Sequence, residues 1–96
     1  MITREHVIEA LKTCLDPELG IDVWTLGLIY KIDLEKQNVM ITMTFTSPMC
    51  PYGPLLVEQI KNALKGAGAH DAKMEITFDP PWQPSEEVKE LLGMTG

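Results

Sequence analysis

The middle of the chain, residues 39–51, reads VMITMTFTSPMCP and changes character halfway along. Residues 39–46 alternate strictly, with one set of side chains on each face: Val39, Ile41, Met43 and Phe45 against Met40, Thr42, Thr44 and Thr46. This period of two, with β-branched and aromatic residues, predicts a half-buried strand. Prolines then prevent further strand pairing and favour a turn that leads into a helix.

Cys50 lies where the predicted strand gives way to the helix. The helix is expected over about residues 54–65 and should end at Gly66-Ala67-Gly68. Free backbone N–H groups and the helix dipole favour a thiolate at a helix start. Cys50 is therefore the candidate reactive thiol, as a nucleophile or as a metal ligand completed by a partner. The alternative is a buried, inert cysteine, which is the interpretation we favour for Cys14.

The flanking segments predict further helices and strands. Thr3 should cap a first helix that continues to Leu15, where Asp16-Pro17 ends it. A strand over 26–34 and the strand from Val39 should form an antiparallel hairpin. A third strand over 73–79 and a short helix capped by Ser85 follow. The predicted core-facing residues of these elements are Val7, Ile8, Leu11, Cys14 and Leu15; Leu28, Tyr30, Ile32 and Leu34; Met74, Ile76 and Phe78; and Val88, Leu91 and Leu92.

The predicted order is α-β-β-α-β-α. We expect an α+β fold in which a three-stranded sheet carries helices packed on one face. With 96 residues, the chain has room for one domain and one modest core, so a single domain over residues 1–96 is expected.

Carboxylates crowd the loop after the first helix, at Asp16, Glu18 and Asp22. Such acids are either solvated turn residues or part of a site, where carboxylates bind a metal ion or orient and deprotonate a thiol. Trp82, which follows Pro80-Pro81, has two interpretations as well. It is either an exposed anchor for a partner or a lid packed on the core.

The amino-acid composition of the chain argues against several classes of function. The net charge of −6 and the scattered basic residues argue against nucleic acid as a main ligand. No apolar run approaches the roughly 20 residues that span a bilayer, and the first residues lack a signal peptide, so we expect a cytoplasmic protein without membrane contact. The chain has two cysteines and no CxxC or HExxH motif. A stable metal site built from this chain alone is therefore not expected.

Four blocks occur in an order that resembles the SufT/PaaD-like metal–sulfur cluster biosynthetic family. They are Asp16-Pro17-Glu18-Leu19-Gly20-Ile21-Asp22-Val23, Leu26-Gly27-Leu28-Ile29-Tyr30, Thr46-Ser47-Pro48-Met49-Cys50-Pro51 and Phe78-Asp79-Pro80-Pro81-Trp82. The resemblance implies a fold of the iron–sulfur cluster assembly type and a role in maturing iron–sulfur proteins. It makes Cys50 the reactive cysteine, and it places Asp16, Glu18, Asp22, Thr46 and Trp82 at the binding site. The pair Trp24-Thr25 departs from the family pattern.

We therefore predict an accessory factor in iron–sulfur cluster assembly or delivery, without enzymatic turnover. One thiol cannot hold a cluster, which generally requires about four ligands. The monomer is thus expected to hold no stable cofactor and to meet an iron–sulfur cluster only transiently. The remaining ligands would come from a second protomer in a homodimer, from the assembly machinery or an apo-client protein, or from a small thiol.

Two alternatives remain open from the sequence. The first is an adaptor that docks client proteins through Trp82 and Trp24 without touching metal. The second is a thiol-dependent hydrolase or redox protein that uses Cys50 with a nearby base, for which Asp16, Asp22 and the two histidines are the candidates.

Overall fold

The computed structural model describes residues 2–46 and 52–93. In these residues the elements are α1 (Arg4–Leu11), β1 (Ile29–Glu35), β2 (Asn38–Met43), α2 (Gly53–Gly66), β3 (Asp71–Ile76) and α3 (Glu86–Leu91). The predicted order and the α+β fold class are confirmed. The predictions for residues 47–51, including the position of Cys50 at a helix start, lie outside the described residues. No helix of the described ranges is long and apolar enough to cross a membrane.

The three strands form one mixed sheet in the order β1-β2-β3. β1 and β2 are the predicted antiparallel hairpin, whereas β2 and β3 run parallel and are joined through α2. The register places Ile29 beside Met43 and Met43 beside Ile76. The start of β1 and the ends of β2 and β3 therefore meet at one end of the sheet, which we call the Met43 end.

The core lies between one face of the sheet and the helices. On β2, the predicted residues Val39, Ile41 and Met43 are buried. The helices contribute fully buried side chains to the same cluster: Val7, Leu11, Leu56, Ile60, Leu64 and Val88. Complete burial of an aliphatic side chain of this kind stabilises a fold by about 1.5–3 kcal/mol. Each of these buried residues lies on the face that its helical or strand period predicts.

The first helix begins as predicted but ends earlier. The Thr3 side chain caps it by accepting a hydrogen bond from the His6 N–H at 3.2 Å. The helix ends at Leu11 rather than at Leu15. The Thr13 hydroxyl donates to the Ala10 carbonyl at 2.6 Å, and such side-chain bonds compete with the helical pattern. Cys14 is buried as predicted, but Leu15 is 50% exposed, so its predicted place in the core is wrong.

The hairpin strands are shorter than predicted. β1 begins at Ile29 rather than at residue 26, because the Leu26 N–H bonds the Asp22 carbonyl in a turn at 3.0 Å. An irregularity in register between Ile29 and Lys31 interrupts the alternation predicted for this strand. Beyond the end of β2, Thr44 is fully buried although its strand position predicted the outer face.

Several side chains of β3 and α3, and that of Phe78 beyond β3, are more exposed than the sequence pattern predicts. Met74 packs against the core, but Ile76 is 37% and Phe78 43% exposed, so their predicted inward positions are wrong. β3 ends at Ile76, so Phe78 lies beyond the strand to which the predicted alternation applies. In α3, Ser85 caps the helix and Val88 is buried as predicted, whereas Leu91 is 58% exposed.

Candidate functional site

The acidic loop is a folded structure held by its own carboxylates. Asp16 is 1% exposed, and its Oδ1 accepts hydrogen bonds from the backbone N–H groups of Glu18 at 2.8 Å and Leu19 at 3.0 Å. Because a buried carboxylate needs such partners, Asp16 stabilises the turn that the sequence suggested for it. Its predicted role at a binding site stays a prediction.

Asp22 organises the second half of this loop. Its Oδ2 accepts a hydrogen bond from the Thr25 N–H at 2.9 Å, and its backbone pairs with Leu15 in an isolated bridge. Thr25, where the sequence departs from the family pattern, thus contributes its backbone to the loop. The chain then turns at Gly27, whose positive φ of 78° favours glycine, and enters β1.

Glu18 connects the acidic loop to the start of α2. The Tyr52 hydroxyl donates a hydrogen bond to the Glu18 carboxylate. Tyr52 is the N-cap residue of α2 and follows Cys50 by two positions in the sequence. Tyr52 was not among the residues predicted for the site, although its place directly after the block Thr46–Pro51 was an available signal. This contact brings the acidic loop to Tyr52, the first residue that the structure describes after the stretch 47–51.

Trp82 closes the same end of the sheet from the other side. Its indole N–H donates to the Leu26 carbonyl at 2.6 Å, and the half-buried ring packs against the core. The connector is also held at Pro80, whose carbonyl accepts a hydrogen bond from the Tyr30 hydroxyl at 2.8 Å. Trp82 thus packs on the core, as one of its two interpretations predicted, and its predicted role at a binding site stays a prediction.

Two phenylalanines lie beside the start of α2. The rings of Phe45 and Phe78 are tilted, with centroids 6.3 Å apart. A Cβ atom at Gly53 would lie 2.9 Å from the Phe45 ring, so a side chain at residue 53 would displace this ring from the helix start. Thr46, the predicted site residue next along the chain, is half-buried.

The Met43 end therefore gathers residues from four segments of the sequence. The acidic loop, Thr46, Tyr52 and Trp82 all lie there, whereas the position of Cys50 itself is not described. Within residues 2–46 and 52–93, no three His, Cys, Asp or Glu side chains are grouped so that they could hold a metal ion. The described residues alone thus do not supply the ligands for a stable metal site.

Cys14 has the opposite character to a reactive thiol. It is fully buried beneath the acidic loop, and its carbonyl accepts a hydrogen bond from the Val23 N–H at 2.9 Å. Burial raises the pKa of the Cys14 thiol above its ordinary value, and the nearby Asp22 carboxylate adds to this; a hydrogen bond with Thr13 opposes it. Cys14 is therefore held in its unreactive, protonated form.

The sequence matches one family model and several proteins of known role. Residues 4–78 match the family model described as iron–sulfur cluster assembly protein. The Fe–S protein maturation auxiliary factor YitW of Bacillus subtilis is 40% identical over 82% of this chain and 79% of its own length. The corresponding auxiliary factor SufT of Staphylococcus aureus is 41% identical over 71% of this chain and 80% of its own.

Two further comparisons are informative. An iron–sulfur cluster carrier protein of Synechocystis is 28% identical over 97% of this chain, which spans 27% of that protein. Among solved structures, a conserved hypothetical protein of Thermotoga maritima has a TM-score of 0.83 at 43% identity. That match covers 96% of this chain and 95% of the other.

Proposed function

The chain belongs to the iron–sulfur cluster assembly protein family, and from that premise we propose that it is an accessory factor for iron–sulfur protein maturation. In this proposal, the protein takes part in cluster assembly or in delivery of a cluster to apo-proteins, and the Cys50 thiol is its reactive group. The roles of similar proteins, which are maturation auxiliary factors and a cluster carrier, support it.

The contact between Glu18 and Tyr52 is the observation that carries the proposal. It holds the acidic loop against a residue two positions from Cys50. A carboxylate near a thiol can accept its proton or share a metal ion with it. The same carboxylate raises the pKa of the thiol when no cation lies between them. A bound iron ion would remove this opposing effect of the carboxylate and favour the thiolate as a ligand.

The cluster is cargo in this proposal rather than a resident cofactor. A cluster generally requires about four ligands, and Cys14 is buried and protonated, so it is not one of them. Cys50 would supply one ligand, and the others would come from a second protomer, from the assembly machinery or client, or from a small thiol. The expected cytoplasmic location remains a prediction.

The test measures cluster transfer. The purified protein and its Cys50→Ser and Cys14→Ala variants are mixed anaerobically with iron, sulfide and an apo-dehydratase that needs a [4Fe–4S] cluster. We expect the Cys14→Ala variant to restore enzyme activity as the unmodified protein does, and the Cys50→Ser variant to fail. Equal restoration by both variants would exclude the thiol mechanism. Failure of the unmodified protein to bind or restore any apo-client would exclude the proposed function.

A further inference from the structure

We propose that the open face of the sheet binds the same face of a second copy of this chain. The inference goes beyond the proposed function and stands without it, since it follows from the register and the charges of the sheet. The open face lies opposite the core-facing side chains of the strands. It is made by three side chains from each strand: Lys31, Asp33 and Glu35; Asn38, Met40 and Thr42; and Asp71, Lys73 and Glu75.

The register makes these side chains one continuous patch. Directly paired residues of neighbouring strands lie on the same face of a sheet, as do alternate residues of one strand. Asp33 pairs with Met40, and Met40 pairs with Lys73, so these three form a central row across the sheet. The rows on either side of it are Lys31, Thr42 and Glu75, nearer the Met43 end, and Glu35, Asn38 and Asp71, nearer the hairpin turn. All of these residues are exposed except Thr42, which is half-buried.

Two of the three rows carry opposite charges at their two ends. In the central row, Asp33 lies on β1 and Lys73 on β3; in the row nearer the Met43 end, Lys31 lies on β1 and Glu75 on β3. Lys31 and Asp33 form an ion pair at 3.5 Å, but both side chains are more than half exposed. Such a surface pair contributes little to stability, so its charges can also interact with a partner. The ion pairs found in the described part of the chain do not include Lys73 or Glu75.

A two-fold axis parallel to the strands makes this charge pattern self-complementary. The axis keeps every row at its own height and lays β1 of one copy over β3 of the other. Asp33 then faces Lys73 of the second copy and Lys31 faces Glu75 of the second copy, and each contact occurs twice because the interface is isologous. At the centre, Met40, which is 38% exposed, covers Met40 of the second copy. An axis across the strands would instead set Asp33 against Asp33 and Lys73 against Lys73, so the charges select the parallel axis.

The dimer is expected to be weak. In the third row, Glu35 faces Asp71 of the second copy, and these like charges oppose association. The face is also small, since three strands about 4.8 Å apart and six residues long at about 3.3 Å per residue cover roughly 14 by 20 Å. Such an area is at the low end for specific complexes. We therefore expect a reversible dimer that forms at high protein concentration.

The parallel axis also fixes where the two candidate sites lie. Because each row keeps its height, the Met43 ends of both copies lie at the same end of the dimer. A dimer with the other axis would place them at opposite ends.

The test measures self-association by sedimentation equilibrium at protein concentrations up to about 1 mM, where a Kd of that order is measurable. An ionic strength of about 0.1 M gives a Debye length of roughly 10 Å. This screens the net repulsion between two negatively charged copies and leaves charges in contact largely unscreened. We expect a reversible equilibrium between monomer and dimer. A protein that stays monomeric under these conditions would overturn the inference.

Charge reversals test the face and the axis. Asp33→Lys and Lys73→Glu should each weaken the dimer about tenfold or more, because each homodimer would then contain two like-charged pairs. An equimolar mixture of the two variants should associate as the unmodified protein does, since the facing charges are opposite again. This recovery also shows that both variants fold. A chain with both substitutions should associate with itself only if the axis is parallel to the strands. Failure of the mixture or of the double variant to associate would overturn the inference.

Matched controls lie on α2, which packs against the other face of the sheet. Glu58→Lys and Lys65→Glu change the net charge as the two variants do, at exposed positions, and should leave the dimer unchanged. Glu35→Lys should strengthen the dimer about threefold or more, because it gives Asp71 of the second copy an opposite charge. Equal weakening by the controls, or no strengthening by Glu35→Lys, would overturn the inference. These experiments do not measure cluster transfer, so their failure leaves the proposed function unaffected.

Discussion

The side chains of Tyr52 and Glu18, 34 positions apart in the sequence, are joined by a hydrogen bond at the candidate site. We expect Tyr52→Phe to free the acidic loop while leaving the core intact. The loss in the free energy of unfolding should be small, about 0.5–1.5 kcal/mol, because this hydrogen bond to a carboxylate is exposed to water. Hydrogen exchange at residues 16–22 should accelerate, and cluster transfer should slow.

The matched control for this prediction is Tyr30→Phe. It removes the other tyrosine hydroxyl that ties a loop at this end, the one bonded to Pro80 at 2.8 Å. Its effect on the free energy of unfolding should be similar, but exchange at residues 16–22 should not change. Equal rates of hydrogen exchange at residues 16–22 in the two variants would show that the Glu18 contact does not hold the loop.

Asp16 should matter more for stability than its place in a surface loop suggests. Asp16→Ala leaves the N–H groups of Glu18 and Leu19 without their acceptor, and an unsatisfied buried group costs about 1–3 kcal/mol. Asp16→Asn keeps a carbonyl oxygen at that position and should lose less. Urea unfolding of the two variants measures the difference, and an equal loss would show that the charge, rather than the acceptor oxygen, is what the turn requires.

The two cysteines should react at very different rates. A short pulse of an alkylating agent at neutral pH, followed by mass spectrometry, should label Cys50 and leave Cys14 unlabelled until the protein unfolds. The expectation for Cys14 follows from its complete burial; that for Cys50 follows from its predicted place at a helix start, which lowers the pKa of a thiol. Labelling of Cys14 at the same rate as Cys50 would contradict the assignment.

Cys14 also makes the free energy of unfolding depend on pH in the alkaline range. Its pKa in the folded protein is raised above the ordinary value of 9.0. The unfolded chain therefore loses the thiol proton first, so the contribution of Cys14 is complete below about pH 9 and is lost as the pH rises towards the folded pKa. Urea unfolding from pH 8 to 10.5 should show a smaller alkaline loss for Cys14→Ala than for the unmodified protein. Parallel curves would contradict the raised pKa.

Trp82 separates the cluster-handling proposal from the adaptor alternative. Trp82→Phe removes the hydrogen bond to the Leu26 carbonyl but keeps an aromatic ring, so it should cost about 0.5–1.5 kcal/mol of unfolding free energy and leave transfer largely intact. If Trp82→Ala abolishes function in the folded protein while Cys50→Ser preserves it, the adaptor alternative is correct. Thermal unfolding and the transfer assay, done side by side, distinguish the two.

Local patterns were sufficient where a residue's neighbours in sequence determine its environment. The caps at Thr3 and Ser85, the hairpin, and the buried face of β2 were all predicted correctly. Most errors occur where contacts between distant residues decide the outcome. The burial of Thr44 and the exposure of Phe78 depend on what covers each residue in the fold, and periodicity carries no information about that. The early end of α1 goes with a local bond from the Thr13 hydroxyl, which periodicity does not show either.

The candidate site was also predictable only in part. The acidic residues and Trp82 were recognisable as unusual from the sequence, and the resemblance to a family gave them a role. Their partners were not recognisable. Glu18 bonds Tyr52 and Trp82 bonds Leu26, and both contacts join segments that only the fold brings together.

The parallel pairing of β2 with β3 has a consequence for the order in which the protein folds. The hairpin of β1 and β2 needs only a short turn, whereas Asn38 pairs with Asp71 only after the whole of α2 has been formed or looped out. Pairings between distant residues are entropically expensive and form late. The contact of Trp82 with Leu26 joins residues that are distant in the sequence as well, so it is also expected to form late. A partly folded chain with the hairpin but without β3 would lack one side of the candidate site.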